Sequence, residues 1–235
     1  MCGICGQYNF GSAAPVQRRD IEAMARAIAH RGPDDEGYYI AGPLGFGFRR
    51  LSIIDLAGGH QPMSDQEESV WVIFNGEIYN FPELKRELEG YGHVFRTNSD
   101  TEVIIHGYKQ WGDDVLNRLN GMFGLAIWDA RKRRLVVARD PFGIKLIYWR
   151  VDSGRFFFGS EMRAVRAAMP DKAEIDPMLA SQSSGLFSSL RRHNFCSQRL
   201  QHRCQEFQQR DIIINDQDGR FHRRSGNYRG FRDRG

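Results

Sequence analysis

The pattern of apolar and polar positions divides the first 178 residues into many short strands and a few helices. Gly3–Asn9 reads as a strand, and over residues 18–29 Ile21, Met24, Ala25 and Ile28 recur at the spacing of one helix face. His30-Arg31-Gly32-Pro33 ends that run, because glycine and proline terminate helices. Residues 36–41 and 44–49 form a strand pair around Gly42-Pro43, and the alternation Gly45-Phe46-Gly47-Phe48 suits a strand lying close against another layer. Residues 69–75 are apolar on both faces, which predicts a strand buried on two sides and ending at Asn75-Gly76.

Two capped helices follow. Asn80-Phe81-Pro82 opens one that runs through Leu88 and stops at Gly90. Ser99-Asp100-Thr101-Glu102 opens a second, with Val103, Ile104, Tyr108 and Trp111 on its apolar face. Residues 122–129, 134–139, 145–150 and 155–160 read as four more strands, and 161–168 as a short helix. Strands outnumber helices and several are two-sided, so the predicted architecture is an α+β sandwich of two packed sheets with helices outside. From about Leu179 the text changes to Gln, Ser, Arg and His, and apolar periodicity survives only in Ile212-Ile213-Ile214. Such a segment cannot bury enough surface to fold alone, which places a boundary near Met178: a domain over 2–178 and a low-complexity, disordered or aberrant tail over 179–235.

Charge changes little in this picture. The net charge of +4 comes from the tail, where residues 179–235 hold 11 arginines, no lysine and five acidic residues. The rest of the chain has 22 basic against 24 acidic residues, so its pI says nothing about nucleic acid as a partner for the main domain. Gly219-Arg220 to Gly235, with Phe221, Tyr228 and Phe231 interleaved, has the ingredients of an RNA-binding segment. It lacks repeat regularity and a basic folded face, so a tail without partner is preferred and nucleic acid is not expected. No apolar run approaches 18 residues and no signal-peptide pattern opens the chain, so a cytoplasmic protein without a membrane span is expected.

The chemistry gathers at Met1-Cys2-Gly3-Ile4-Cys5-Gly6. If Met1 is removed, which the small Cys2 side chain favours, Cys2 carries both a thiol and a free α-amine. Thiols titrate near about 8.5 and α-amines near about 8, so the amine can serve as base for its own thiol. Three other readings compete: a redox C-x-x-C, half of a zinc site, or small buried hydrophobes. A zinc site is disfavoured, because Cys196 and Cys204 are widely spaced and lie in the tail, and no metal is expected.

Asn75-Gly76 could supply two convergent donors for an oxyanion, although taken alone the dipeptide reads first as a turn. Arg50 could fork a carboxylate and Asp100 could hold an ammonium group, while taken singly they read as a solvated strand end and an N-cap. His30 and Arg31 could line the same pocket or cap the preceding helix.

Taken jointly these segments resemble the class II glutamine amidotransferase domain, in the form it takes in glutamine-hydrolysing asparagine synthetases. The resemblance rests on Met1-Cys2-Gly3-Ile4, His30-Arg31-Gly32-Pro33-Asp34, residues 50–55, Gln61-Pro62-Met63, residues 74–80, Ser99-Asp100-Thr101-Glu102, Gly121-Met122-Phe123, residues 139–145 and Gly159-Ser160-Glu161, in order over 1–178. It implies a four-layer αββα N-terminal nucleophile sandwich. It also implies Cys2 as nucleophile, Asn75 and the Gly76 amide as oxyanion hole, and Arg50, Ile53, Ile54, Glu77 and Asp100 around L-glutamine. His30 and Arg31 are supporting positions.

Glutamine hydrolysis would need no cofactor; ATP and Mg would serve a synthetase domain whose pyrophosphate loop, Ser-Gly-Gly-x-Asp-Ser, does not occur in the 235 residues. The expected activity is therefore glutaminase alone. Its ammonia acceptor would be a synthetase domain in trans, and the resemblance leaves room for a homodimer. One departure within the matched region is Leu146 where the family usually has proline.

Overall fold

The computed structural model describes residues 1–10, 12, 14–51 and 59–169, together with the backbone of 205–206, 211–215 and 220–224 and the side chain of Ile214. In chain order the elements are β1 (Gly3–Asn9), α1 (Arg18–Ala27), β2 (Asp35–Ala41), β3 (Leu44–Arg50), β4 (Met63–Ser64), β5 (Val70–Ile78), α2 (Phe81–Gly90), α3 (Asp100–Trp111), α4 (Val115–Arg118), β6 (Gly121–Asp129), β7 (Arg134–Arg139), β8 (Tyr148–Asp152), β9 (Arg155–Gly159), α5 (Met162–Ala167), β10 (Gln205–Glu206), β11 (Asp211–Asn215) and β12 (Arg220–Arg224). They make two sheets, ordered β10-β8-β9-β1-β3-β2 and β12-β11-β7-β6-β5-β4, in which all described pairings are antiparallel.

Three apolar layers hold the stack together. Between the sheets, Ile4, Tyr8, Phe46 and Phe48 from the first meet Ile73, Ala126, Trp128 and Val137 from the second. Outside the first sheet, Ile21, Met24 and Ala25 of α1 pack with Cys5 and with Ala164 of α5. Outside the second, Val103, Ile104 and Tyr108 of α3 and Leu84 and Leu88 of α2 cover Val72, Phe74 and Leu125. The result is the four-layer αββα arrangement, with each central strand buried on both faces as its sequence demands. In β3 the two glycines face α1, within contact of Ile21, while Phe46 and Phe48 face the inter-sheet core. No helix among the described residues is long and apolar enough to cross a membrane.

Two predicted boundaries move. The strand expected to end at Asn75-Gly76 continues to Ile78, because β5 pairs with β6 through Asn75↔Gly124, Gly76↔Phe123 and Ile78↔Gly121. Nine cross-strand pairs outweigh a local turn preference. The strand expected from Lys145 begins at Tyr148, because the buried Asp140 carboxylate gathers the loop before it: Oδ1 accepts from Phe142 N at 3.1 Å and Ile144 N at 2.9 Å, and Oδ2 from Lys145 N at 3.0 Å and Phe123 N at 3.3 Å.

The helix starts are as expected, with one change of role. Ser99 Oγ caps α3 through Thr101 N, whereas the Asn80 side chain ties the start of α2 to the Arg118–Asn120 backbone instead of capping the helix. In the segment beyond the expected boundary, β11 adds to the free edge of β7 and buries Ile214 against the inter-sheet core.

Candidate active site

The site is built where the first residues of β1 meet the last of β3 and the middle of β5. Gly3 pairs with Arg49, so Cys2 lies beside the end of β3, and its Sγ is 3.8 Å from Leu51 O. Strand alternation sends Cys2 toward the inter-sheet core with Ile4 and Tyr8, where it packs half-buried. Met1 is 59% exposed, and its Sδ is 3.1 Å from Nζ of Lys145, itself buried to 7% exposure.

The second sheet faces the same place. Asn75, 3% exposed, follows Trp71 and Ile73 on the inward side of β5. Its cross-strand partner Gly124 also faces inward, and a Cβ there would lie 3.7 Å from Lys145 Cβ. Lys145 therefore spans from Met1 to the ladder position opposite Asn75, bringing the chain start and Asn75 to one end of the sandwich.

The edge of β5 supplies the other polar groups. β4 covers only Trp71 and Val72, and beyond it successive outward N–H groups are served by side chains: Gln61 Oε1 accepts from Phe74 N at 2.6 Å and Asp100 Oδ2 from Ile78 N at 3.0 Å. By alternation the Gly76 N–H points out between these two, and no side chain among the described residues accepts from it. A Cβ on Gly76 would sit 2.1 Å from Met122 O, so no other residue lets β5 lie this close to β6 at that point.

Charge is arranged around this edge. Burial pushes the Asp100 carboxyl above its usual range against the pull of the Ile78 amide, and the nearby charge of Glu77 adds to the rise. A half-buried carboxyl with a second acidic side chain beside it forms a place where an ammonium group would be welcome. Glu77 is exposed, and Ser99 Oγ caps α3, while the Asp100 carboxyl bonds the Ile78 amide of β5 as well as backbone amides at the start of its own helix.

On the other side Arg50 ends β3 at 7% exposure, opposite Asp35. The His30–Pro33 turn lies directly over it, since a Cβ on Gly32 would be 2.4 Å from Arg49 C and 2.5 Å from Arg50 N. From that turn Arg31 Nε donates to Cys2 O at 3.0 Å, and His30 Nε2 lies 2.8 Å from Glu161 Oε1.

Of the sequence candidates, then, Cys2, Arg31 and Arg50 gather around the start of β1 and the end of β3, with His30 behind Arg31, and Asn75, Gly76 and Asp100 lie on β5 and the start of α3 with Glu77 beside them. Ile53 and Ile54 lie outside the described residues. Lys145, Glu161 and Gln61 bond to the elements that carry these residues; in the sequence they stand inside the segments of the resemblance without any signal of their contacts. Among the described residues no group of three or more His, Cys, Asp or Glu is placed to hold a metal.

Two solved structures share this fold. The glutamine phosphoribosylpyrophosphate amidotransferase of B. subtilis complexed with ADP and GMP superimposes with a TM-score of 0.59 at 20% identity, over 71% of this chain and 43% of that one. A structure described as the allosteric regulatory enzyme of purine biosynthesis gives 0.60 at 22% identity with the same coverage. The chain belongs to the glutamine amidotransferase domain family, whose model matches residues 1–211.

Among curated relatives, the glutamine-hydrolyzing asparagine synthetase 1 of Bacillus subtilis (strain 168) is 45% identical over 178 residues, 75% of this chain and 28% of that protein. The corresponding synthetase 2 of Oryza sativa subsp. japonica is 38% identical over 167 residues, 70% of this chain and 28% of its own length. The present chain thus spans little more than a quarter of either relative.

Proposed function

We propose that this chain hydrolyses L-glutamine to glutamate and ammonia through Cys2 as an N-terminal nucleophile. The reading is supported by the placement of Cys2 at the start of β1 and of Asn75 and the outward Gly76 N–H on β5, at the end of the sandwich where Lys145 reaches both Met1 and the position opposite Asn75. Once Met1 is removed, the freed α-amine of Cys2 takes the thiol proton. The thiolate attacks the side-chain carbonyl carbon of glutamine, and the Gly76 N–H and Asn75 amide receive the developing oxyanion. On collapse the carbon–nitrogen bond breaks, the protonated α-amine hands its proton to the departing nitrogen, and ammonia leaves a γ-glutamyl thioester. Water, deprotonated by the same amine, attacks the thioester; the thiol is regenerated and glutamate released. Arg50 would fork the α-carboxylate of the substrate and Asp100, with Glu77 near it, would take its α-ammonium group. These two contacts fix a free amino acid, at both ends of its backbone, with the side-chain amide reaching Cys2.

The relatives named above are asparagine synthetases, and the ammonia would serve an ATP-dependent amidation of aspartate on a synthetase unit. The test is glutamate release from glutamine by purified protein whose intact mass shows loss of Met1. Activity that survives undiminished in Cys2→Ala, or in protein retaining Met1, would overturn the mechanism.

A further inference from the structure

A nucleophile carried on a chain end faces a specific difficulty, since terminal residues fray unless tied down. One short segment, Ser160-Glu161, ties this one. Ser160 N donates to Ile4 O at 2.9 Å, and its Oγ accepts from Ile4 N at 3.0 Å. One residue on, Glu161 Oε1 lies 2.8 Å from His30 Nε2 and accepts from Arg31 Nη1 at 3.2 Å, and Arg31 Nε in turn donates to the main-chain carbonyl of Cys2 at 3.0 Å. Glu161 occupies the cap position of α5, and its side chain makes no cap bond. It reaches instead to a turn 130 residues earlier. Its second oxygen pairs with Arg163 Nε at 2.9 Å on the exposed side.

We propose that Glu161 is a positioning residue for the nucleophile: its carboxylate orients the Arg31 guanidinium so that Arg31 pins the Cys2 carbonyl and fixes where thiol and amine stand relative to the Gly76 N–H. The inference rests on the reading of Cys2 as nucleophile. Hydrogen bonds between ionised partners are the directional, short ones suited to such a role. Partial burial works against the charge on Glu161, but the bonds from His30 and Arg31 outweigh it and hold the carboxyl below its usual range, so the clamp is ionised at neutral pH. A displacement of about 1 Å at a reacting atom is enough to cost about 10²-fold in rate. Asp100 is bonded to the Ile78 amide of the other sheet and not to this clamp, so its part in substrate binding should be spared.

The experiment compares wild type, Glu161→Ala, Glu161→Gln, Arg31→Ala and the Glu161→Ala/Arg31→Ala double variant, all with Met1 removal verified by mass. Wild type that releases no glutamate refutes the proposed function itself. With active wild type, Glu161→Ala is expected to lower kcat about 10- to 100-fold with KM within about threefold. Glu161→Gln, which keeps an acceptor of the same shape, should recover part of the loss. In the Arg31→Ala background the Glu161→Ala change should cost little more, because the two act as one unit. The rate at which a glutamine-like electrophile alkylates Cys2, followed by mass, should fall in parallel with kcat. Wild-type kcat in Glu161→Ala, a rise in KM alone, or losses that multiply independently with Arg31→Ala would overturn the proposal. If the alanine variant does not fold, Glu161→Gln carries the test, and full kcat there with unchanged alkylation rate overturns it.

Discussion

Cys2 and Cys5 stand three residues apart on one segment, yet they belong to different parts of the molecule. An odd spacing along an extended chain sends side chains to opposite faces. Cys2 turns to the inter-sheet layer with Ile4, whereas Cys5 turns outward beneath α1 among Ile21, Met24 and Ala25. Cys5 is wholly buried, its Sγ is 3.6 Å from Gly47 O, and burial pushes its thiol up to about 12. Cys2 is half-buried at the strand's start, beside Leu51 O, with its carbonyl held by Arg31. The comparison teaches that C-x-x-C in a strand is not a dithiol motif at all: the two sulfurs cannot share a metal or a bond, and both cysteines are free.

The sharpest way to break the comparison is to remove each sulfur in turn. Cys2→Ala keeps a small second residue, so Met1 removal is undisturbed, and it is expected to lower glutamate release by about 10²- to 10⁴-fold. Cys5→Ala should leave kcat/KM within about threefold, since Cys5 packs beneath α1 on the face of β1 opposite to Cys2. A coupled glutamate assay decides both, and equal losses in the two variants would mean that the strand's fold, not the Cys2 thiol, is what activity depends on.

Selective chemistry should show the same contrast in the unmodified protein. With a thiol titrating at about 12, only about one Cys5 in 10,000 is thiolate at pH 8, before its burial is counted. Of these two cysteines, a small alkylating agent applied to native protein should therefore modify Cys2 and spare Cys5, read on their shared N-terminal peptide by mass, with Cys5 reacting only after denaturation. Comparable native labelling of Cys5 would show that α1 opens readily.

The opposite sheet sharpens the comparison from the substrate's side. Asp100→Asn keeps an acceptor for the Ile78 N–H but removes the charge proposed to meet an α-ammonium group. KM for glutamine should rise about 10- to 100-fold, the worth of a charge-assisted bond, with a smaller change in kcat. Burial and then Glu77 disfavour that charge in the folded chain, so the same variant should melt slightly higher than wild type. An unchanged KM would remove Asp100 from substrate binding.

The layers were legible from the sequence because they are written in local periodicities: two-sided strands such as residues 70–74 and the helix face of Ile21, Met24, Ala25 and Ile28. The site was legible only in part. Asn75-Gly76 read locally as a turn, and what keeps it in a strand is the ladder to Gly121–Asp129, a partner that no local signal names. Asp100 read as a cap because aspartate is common there; that Ser99 does the capping and Asp100 bonds Ile78 depends on the distance between α3 and β5. Glu161 was less legible still, since its partners lie 130 residues away. Lys145 was expected inside a strand, and only the four amides gathered by Asp140 place it in the loop that reaches Met1.

The smallest expected effect tests the structural half of the comparison. Replacing Cys5 by alanine removes one fully buried sulfur from a layer that contains Ile21, Met24, Ala25 and Ala164, with Gly47 directly beneath it. The flexible Met24 and the small residues around it can close part of the gap, so the cost should be at the low end for a core truncation, about 1 kcal/mol. For a domain of this size that is about 2–4 °C in Tm, measurable by calorimetry or by circular dichroism. A loss several times larger would mean that the layer between α1 and the first sheet cannot relax, and that the hydrogen bond from Sγ to Gly47 O contributes to holding β1 in register with β3. In that case activity should fall with stability, since the same register sets where Cys2 stands.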